Sequence, residues 1–441
     1  IMQKFTSLRN DPPTKKISYK TMLAVLLGNV FEFYCFILFI VLAPYISKAF
    51  FLNVSGDVAY IVAYSISFCG YIARPFGSMI LGRYSDMYSR KKILYVSILI
   101  TGIITFLIGI VPPYSWIGVN GVIALIALRF MQGFLVSGEE GGAAVYLSEV
   151  IDKKKKCLIG SLVLSSVFLG ILIGRFVCNL LEIFIAEEHM LDFGWRIPFV
   201  LALPLAIFIC RLRKNVPEIS WQSAKNMVQV LRPNPIKTLF ANYKINIFKL
   251  IICCGAYSSI TCLVMVYLPN DPAIRIPKMF FAFGIGFMML LLPVFGYMCD
   301  MFRPKNLLIV GLLSSAFTTI HCVNMIYAES SLYQFIGMSM LYINTTLIAA
   351  PIFAFLVEMF PRHNRCTGVS FVFNTSVSIF SGAFPLLCSI IKNYNVSVLV
   401  PGYLISILSA LGVIAVFASD RYREPLNINQ LDLAIERPSH K

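Results

Sequence analysis

Apolar stretches of about twenty residues recur along the whole chain, and short polar segments separate them. A helix needs roughly that many residues to cross about 30 Å of hydrocarbon. The composition agrees, because 58% of the 441 residues are hydrophobic and only 13% are charged. A soluble protein of this length does not need so much apolar surface. The sequence therefore predicts an all-α membrane protein that crosses the bilayer many times.

The stretches predict twelve transmembrane helices arranged as two six-helix bundles. Their approximate bounds are 21–46, 58–82, 93–111, 118–148, 158–182, 195–212, 246–269, 277–299, 305–327, 331–358, 366–391 and 398–419. The predicted organisation is an N-terminal tail (1–20), a first bundle (21–212), a polar linker (213–245), a second bundle (246–419) and a C-terminal tail (420–441).

The positive charge is distributed unevenly over the predicted loops. Of the 37 Lys and Arg residues, 26 fall on one side of the predicted membrane, three on the other side and eight inside the predicted spans. By the positive-inside rule, this bias places both termini in the cytoplasm. The net charge of +16 is then a consequence of topology, and we expect no nucleic-acid partner.

A short charged hairpin occurs twice, once in each half of the chain. Residues 82–92 read GRYSDMYSRKK and residues 296–305 read GYMCDMFRPK, each between two apolar stretches. Both copies keep a glycine, an aspartate four residues later and a basic cluster. Glycine allows two helices to approach closely, and a carboxylate is favourable at a helix N-terminus. Two such copies indicate a duplicated transporter with an internal repeat.

Other chemistry is not indicated by the sequence. The 12 cysteines are spread through the spans without metal-ligand spacing, so we interpret them as packing residues. No phosphate-binding loop is present, and we expect neither ATP coupling nor a metal or other cofactor. The first span is too long for a cleaved signal and is expected to act as an uncleaved anchor.

Several motifs together resemble one transporter family over nearly all of residues 20–419. In the first half they are GNVFEFY at 28–34, ARPFG at 73–77 and RFMQGFLVSGEEGGA at 129–143. In the second half they are EMFP at 358–361, Arg365, Thr367-Gly368, Asn374 and GAFP at 382–385. The chain is similar to the metabolite:proton symporters of the major facilitator superfamily, and most closely to the proline/betaine transporter group.

The resemblance implies two pseudo-symmetric six-helix bundles around a central cavity that opens alternately to each side. It also implies a cytoplasmic gate at the hairpins, formed by Gly82, Asp86, Arg90, Asp300 and Arg303. The chain departs from the family pattern at three places. Cys35 stands where the family has an aspartate, Glu140 where it has an aromatic residue, and Arg175 where a small or apolar residue is expected.

Six ionisable residues are predicted deep in the first bundle. An ionisable side chain at mid-membrane costs at least about 2.5–3.5 kcal/mol, so each needs a partner or a wet cavity. The six residues are Glu32, Arg74, Arg129, Glu139, Glu140 and Arg175. On a helix with about 100° per residue, Arg129 and Glu140 are nearly eclipsed, with Gln132 beside them. We expect these residues to face the cavity, and we expect Glu139 and Arg74 to form structural ion pairs.

The candidate roles follow from side-chain chemistry. Arg129 and Arg175 are candidates to bind a substrate carboxylate, because guanidinium groups match carboxylates bidentately. Glu32 or Glu140 is the candidate proton carrier, since the thiol of Cys35 titrates too high. The second bundle offers Tyr257 and Asn374, and tyrosines can hold a quaternary ammonium by cation–π attraction. The alternative for every charged candidate is a structural ion pair within the first bundle.

These observations together predict a monomeric secondary transporter in a bacterial cytoplasmic membrane. Its partners would be the bilayer, a small zwitterion or organic acid and, by symport, protons. The alternatives within transporters are a sugar porter, hinted at by PEISW at 217–221, and an uncoupled facilitator or exchanger. A sensor on the same scaffold would need an added signalling domain. We find no metal site or nucleophile–base pair for an enzyme, and the duplicated hairpins argue against a channel.

Overall fold

The computed structural model describes residues 19–51, 56–151, 153–214, 234–271, 274, 276–385, 387–388 and 397–419. Over these ranges the chain forms helices joined by turns, without a β-strand. The N-terminal tail up to residue 18, residues 215–233 of the predicted linker and the C-terminal tail lie outside the described residues. The all-α class predicted from the sequence is confirmed.

The long helices are numbered here in chain order. Those of the first half are α1 (Tyr19–Val41), α2 (Gly56–Met87), α3 (Arg90–Ile110), α4 (Val119–Val150), α5 (Lys156–Phe184) and α6 (Ile197–Arg213). Those of the second half are α7 (Pro235–Cys262), α8 (Lys278–Met301), α9 (Pro304–Ile326), α10 (Ser331–Met359), α11 (Arg365–Ser376) and α12 (Val400–Ala418). The short helices Ala43–Phe50, Tyr114–Ile117 and Glu187–Asp192 connect long helices of the first half.

Ten helices within the described ranges are long and apolar enough to cross a membrane. Helices α2 and α11 are not among these ten. Helix α2 carries Arg74 and, from the first hairpin, Arg83 and Asp86. Helix α11 is short because its helical path changes at residue 377. Two helices have π-helical segments at their ends, Leu263–Tyr267 after α7 and Val377–Gly382 after α11. π-helical turns are rare and often occur at functional sites.

The two halves meet through equivalent pairs of helices. Helix α2 packs against α11, and α5 packs against α8, so the second helix of each half contacts the fifth helix of the other. Within the first half, small residues allow close packing, since a Cβ on Gly133 would lie 1.9 Å from the carbonyl oxygen of Gly70. Without a hydrophobic force between helices in lipid, such close backbone contact is a main source of association.

Both charged hairpins lie at one end of the molecule, which we call the hairpin end (residues 82–92 and 296–305). The first turn is short because Ser89 caps α3, its hydroxyl accepting the backbone N–H of Lys92 at 3.2 Å. The second is short because Pro304 occupies the first position of α9, where its missing N–H costs nothing. These local signals place an aspartate of each hairpin near the other half of the protein.

One predicted boundary differs from the structure. Helix α7 begins at Pro235, so residues 235–245 are helical although they were expected to belong to the linker. Asn234 caps this helix, accepting the backbone N–H of Ile236 at 3.1 Å. The polar residues of this first part of α7 made it resemble a linker in sequence.

Candidate functional site

A cavity lies between the two halves and encloses about 770 Å³ of empty space, part of it open to solvent. Helices α1, α2, α4 and α5 of the first half form one wall, and α7 and α11 of the second half form the other. Its lining is mostly apolar and aromatic. The aromatic residues in it are Phe33, Phe36, Tyr71, Phe168, Tyr257 and Phe373. A concave, mainly apolar site with few polar groups is typical of small-molecule binding.

Three charged side chains line this cavity, and all come from the first half. They are Arg74 on α2, Glu140 on α4 and Arg175 on α5. Glu140 is only 3% exposed, and among the cavity-lining residues it is the one carboxylate. Two guanidinium groups and one carboxylate therefore face a space that both halves of the protein enclose.

Arg74 is held by aromatic rings. Its guanidinium carbon lies 4.7 Å from the centre of the Phe36 ring, 5.2 Å from that of Tyr71 and 5.8 Å from that of Phe33. Cation–π attraction is strongest where the cation is removed from water, and Arg74 is 2% exposed. These rings explain how the guanidinium is tolerated in the membrane although no carboxylate of the described residues lies within ion-pair distance of it.

Arg175 connects the two halves across the cavity. Its guanidinium donates a hydrogen bond of 3.0 Å to the backbone carbonyl of Met265. Met265 lies in the π-helical segment after α7. A backbone carbonyl is a neutral acceptor, and a carboxylate accepts from a guanidinium more strongly. A carboxylate bound in the cavity would therefore be a stronger acceptor for Arg175 than this carbonyl.

Polar groups of the second half face the same space. Ser258 on α7 is 1% exposed, and its hydroxyl has no hydrogen-bond partner among the described residues. Tyr257, the neighbouring residue, also lines the cavity and packs against Phe373 with ring centres 6.0 Å apart. A buried hydroxyl without a partner inside a cavity wall is available to a bound ligand.

Arg129 and Gln132 lie outside the cavity lining, contrary to the expectation that Arg129 and Glu140 share one surface. Arg129 donates to the carbonyl of Phe36 at 3.2 Å and to the Gln132 side chain at 2.6 Å. Gln132 in turn donates to the carbonyl of Cys35 at 3.2 Å. The Arg129 guanidinium lies 4.1 Å from the centre of the Phe36 ring. A backbone carbonyl, the Gln132 side chain and aromatic rings thus surround Arg129 near Cys35, where the family pattern has a carboxylate.

Glu32 is also inside the first half and does not line the cavity. It is fully buried, with Thr101 on α3 donating to one oxygen at 3.5 Å. Its other oxygen has no hydrogen-bond partner among the described residues. The charges of Glu139 and Arg213 act on it from nearby.

Glu139 is paired with Arg213, and the expected pairing with Arg74 is wrong. Arg213, at the end of α6, is 3% exposed and forms an ion pair with Glu139. It also donates to the carbonyls of Ala24, Val25 and Leu94 at 2.6–3.0 Å. Gly28 leaves the room for it, since a Cβ there would lie 1.9 Å from the guanidinium. Sequence analysis missed Arg213 because it stands in a basic run (RLRK) that resembles a cytoplasmic loop.

Asn374 joins the two halves and does not face the cavity. Its amide donates to the carbonyl of Ser137 on α4 at 3.0 Å and to that of Ser370 on its own helix at 2.9 Å. The structure thus brings Glu140, Arg175 and Tyr257 together in the cavity and adds Arg74 to them. It does not bring Glu32, Arg129, Gln132 or Asn374 there.

At the hairpin end, Asp86 is bound to the start of α11. It accepts the backbone N–H groups of Cys366 and Thr367 at 3.1 and 2.8 Å and the Thr367 hydroxyl at 2.7 Å. Gly82 permits this approach, since a Cβ at that position would lie 2.8 Å from Cα of Thr367. A carboxylate at a helix N-terminus pairs with free N–H groups and with the positive end of the helix dipole.

Asp300 repeats this arrangement in the other half. It accepts the backbone N–H groups of Cys157 and Leu158, at the start of α5, at 2.8 and 3.0 Å. The two hairpin aspartates therefore join the two halves through equivalent contacts. Arg303, the remaining candidate of this hairpin, is exposed at the N-cap of α9.

Ion pairs strengthen the same end. Glu149, at the end of α4, pairs with Arg90 and, across the two halves, with Arg365 at 3.4 Å. The equivalent pair, Lys156 with Glu358, joins the halves at 3.7 Å. Arg365 and Glu358 both lie in the sequence motifs. The sequence did not indicate that each forms an ion pair across the two halves, Arg365 with Glu149 and Glu358 with Lys156. The hairpin end is closed in this structure by these contacts.

The described residues thus form a cavity between two repeated halves, with a closed end below it. A family model described as "Sugar (and other) transporter" matches residues 21–229. A putative proline/betaine transporter of Staphylococcus aureus is 26% identical over 415 residues, covering 91% of this chain and 88% of the relative. The proline/betaine transporter of Salmonella typhimurium is 28% identical over 417 residues, covering 90% and 82%.

Solved structures share the fold. The proton:xylose symporter XylE, a major facilitator protein, superposes with a TM-score of 0.72 at 15% identity, covering 90% of this chain and 94% of XylE. The human organic anion transporter MFSD10 gives a TM-score of 0.64 at 11% identity, covering 92% and 100%. This chain therefore shares the fold of these solved transporters. Ten of its described helices are long and apolar enough to cross a membrane, and the relatives that it resembles are named as transporters.

Proposed function

We propose that this chain is a secondary transporter of the major facilitator type and that it moves a small solute that carries a carboxylate, either a proline/betaine-like zwitterion or an organic acid. The observation that carries the proposal is the presence of Arg74, Arg175 and Glu140 in an otherwise apolar cavity. Arg175 presents the planar fork that matches a carboxylate, and it donates to the backbone carbonyl of Met265 on the other wall of the cavity. The printed names of the Staphylococcus and Salmonella relatives support this solute class.

Glu140 carries the coupled proton in this proposal. Glu32 is equally buried, but it contacts α3 inside the first half, whereas Glu140 lines the solute cavity. A carboxyl group that meets first one side of the membrane and then the other can take up a proton and release it. The solute and the proton would then bind in the same cavity. Glu140 would replace the carboxylate that the family pattern has at position 35, where this chain has a cysteine.

The topology belongs to the same proposal. All twelve long helices cross the membrane, with the hairpin end and both termini in the cytoplasm. The excess of Lys and Arg on that side supports this orientation. One chain works as a monomer, which is supported by a cavity whose walls come from the two halves of a single chain. Opening and closing of the contacts made by Asp86 and Asp300 give access to the cytoplasm.

Counterflow in proteoliposomes tests the function. Labelled proline, glycine betaine, dicarboxylates and hexoses are screened, and the transported solute is then measured with and without an inward proton gradient. We expect accumulation that needs the gradient in the wild type. Glu140→Gln should lose accumulation but retain counterflow, because the solute still binds while the proton does not. Glu182→Gln, which makes the same change outside the cavity, should accumulate normally.

Two results would overturn parts of the proposal. Saturable counterflow that does not depend on the proton gradient would indicate an uncoupled facilitator or exchanger. The absence of a carboxylate at position 35 favours that alternative. Uptake of hexoses alone, unaffected by Arg175→Gln, would exclude the carboxylate solute and favour a sugar porter.

A further inference from the structure

Two cysteine thiols meet across the halves at the hairpin end. Cys157 lies in the first turn of α5 and Cys299 in the last turn of α8, and their sulfur atoms are 2.9 Å apart. Their exposed fractions are 2% and 0%. Ala354 on α10 and Leu307 on α9 pack around them. The two thiols come from different halves, so their contact depends on how the halves are arranged.

The thiol contact is tied to the gate. Asp300 directly follows Cys299, and its carboxylate accepts the backbone N–H groups of Cys157 and of the next residue, Leu158. The same few residues therefore supply both the aspartate contact and the thiol pair. When the hairpin end opens, α5 and α8 separate there, so the thiols also separate and become accessible from the cytoplasm.

The other hairpin gives an internal comparison. Asp86 binds the start of α11 as Asp300 binds the start of α5, and Cys366 corresponds to Cys157. The residue before Asp86, however, is Ser85, so a hydroxyl stands beside Cys366 where Cys299 supplies a thiol beside Cys157. One gate contact thus has a thiol facing a thiol, and the equivalent contact has a thiol facing a hydroxyl. Only the first can form a disulfide.

We propose that Cys157 and Cys299 form a modification site for two-electron thiol oxidants of the peroxide class, and that their disulfide holds the hairpin end shut. With the hairpin end open, one thiolate attacks a peroxide oxygen, the O–O bond breaks, and a sulfenic acid and one water are formed. With the end closed, the second thiol attacks the sulfenic sulfur, the S–S bond forms and a second water leaves. Two thiols and one hydrogen peroxide thus give one disulfide and two waters.

The disulfide adds a covalent connection where Asp300 supplies hydrogen bonds. A thiol reductant reverses it by thiol–disulfide exchange once local opening admits the reductant. The protein would then stop cycling while peroxide persists and resume when thiols are reduced. This inference rests on the alternating access that we propose, and not on the identity of the solute.

The full-length protein in proteoliposomes tests the site. After treatment with hydrogen peroxide, mass spectrometry of proteolytic fragments should show a Cys157–Cys299 disulfide. Counterflow of labelled proline or glycine betaine should fall at least tenfold and recover in dithiothreitol, each rate being compared with the same variant before oxidation. Cys157→Ser and Cys299→Ser should show neither the disulfide nor the loss. Cys366→Ser, at the equivalent position, should respond like the wild type.

A transplanted pair sharpens the test. Ser85→Cys introduced into the Cys157→Ser variant creates a thiol pair at the other gate contact, so sensitivity to peroxide should return with a disulfide between residues 85 and 366. The inference is overturned if no Cys157–Cys299 disulfide forms, if it forms without a fall in counterflow, or if Cys299→Ser is inhibited equally. If the reduced protein transports neither proline nor glycine betaine, that result bears on the proposed function alone, because mass spectrometry detects the disulfide independently of transport.

Discussion

Single residues show how the first half tolerates so many charges. Arg74 is stabilised by three aromatic rings, Arg129 by carbonyls and a ring, and Arg213 by three carbonyls and Glu139. Each of these arrangements gives a buried guanidinium attractive contacts, although the Nε atoms of Arg74 and Arg129 have no hydrogen-bond partner among the described residues. Glu140 differs, since its carboxylate faces the cavity and no described residue lies within ion-pair distance of it. It is this cavity-lining carboxylate that the proposed mechanism uses.

Removal of one partner from the buried pair should be costly. In Glu139→Gln the Arg213 guanidinium keeps its carbonyl contacts but loses its buried counter-charge. Breaking such a pair costs roughly 3–5 kcal/mol. We expect a clearly lower midpoint of thermal unfolding in detergent. The matched control is Glu187→Gln, whose partner Lys48 is 3.8 Å away with 60% of its side chain exposed. Equal midpoints for the two variants would refute a stabilising role for the buried pair.

Helix packing determines which helices can close the hairpin end. Gly82 lies against the backbone of Thr367, so α2 and α11 touch there without an intervening side chain. Gly286 on α8 also faces the other half, but the nearest atom to a Cβ there is a methyl group of Leu172 at 4.0 Å. The two glycines therefore differ in the space around them, although both lie between the halves.

Gly82→Ala should favour the open hairpin end. The added methyl would approach Cα of Thr367 to 2.8 Å, which forces α2 and α11 apart and weakens the contacts of Asp86. Hydrogen–deuterium exchange at the backbone N–H of Cys366 and Thr367 should become faster. Gly286→Ala should leave that exchange unchanged, because the nearest atom to the added methyl group, on Leu172, would lie at an ordinary van der Waals distance of 4.0 Å. If both variants exchange alike, close packing at Gly82 does not hold the end shut.

The sequence predicted helix type and approximate position well, because about twenty apolar residues in lipid have few alternatives to a helix. It failed for Arg213, whose neighbours in sequence are basic while its neighbours in space are α1, α3 and α4. It also failed for Arg129. Periodicity gives the angle between two side chains on one helix but does not say which neighbouring helix each side chain meets. Arg129 and Glu140 are eleven residues apart and therefore nearly eclipsed on α4. Glu140 nevertheless faces the cavity, whereas Arg129 faces α1.

The whole molecule depends on how two repeated halves are joined. The repeat gives two pairs of contacts that look equivalent, yet they differ in burial. Glu149 has 7% of its side chain exposed and pairs with two arginines, one of them across the halves. The equivalent Glu358 is 17% exposed and pairs with Lys156, which is 26% exposed. Interactions between exposed charges are weakened by water and salt, whereas buried ones are screened less.

Loss of the more buried carboxylate should therefore open the hairpin end more. Glu149→Gln leaves Arg90 and Arg365 facing each other without their common counter-charge, whereas Glu358→Gln leaves one partly exposed lysine. We expect hydrogen–deuterium exchange in the first turn of α11 to rise about tenfold in Glu149→Gln, which corresponds to about 1.4 kcal/mol. In Glu358→Gln, the first turn of α5 should change by less. If the exchange rate in Glu358→Gln rose by as much or more, local burial would not determine the strength of each gate contact.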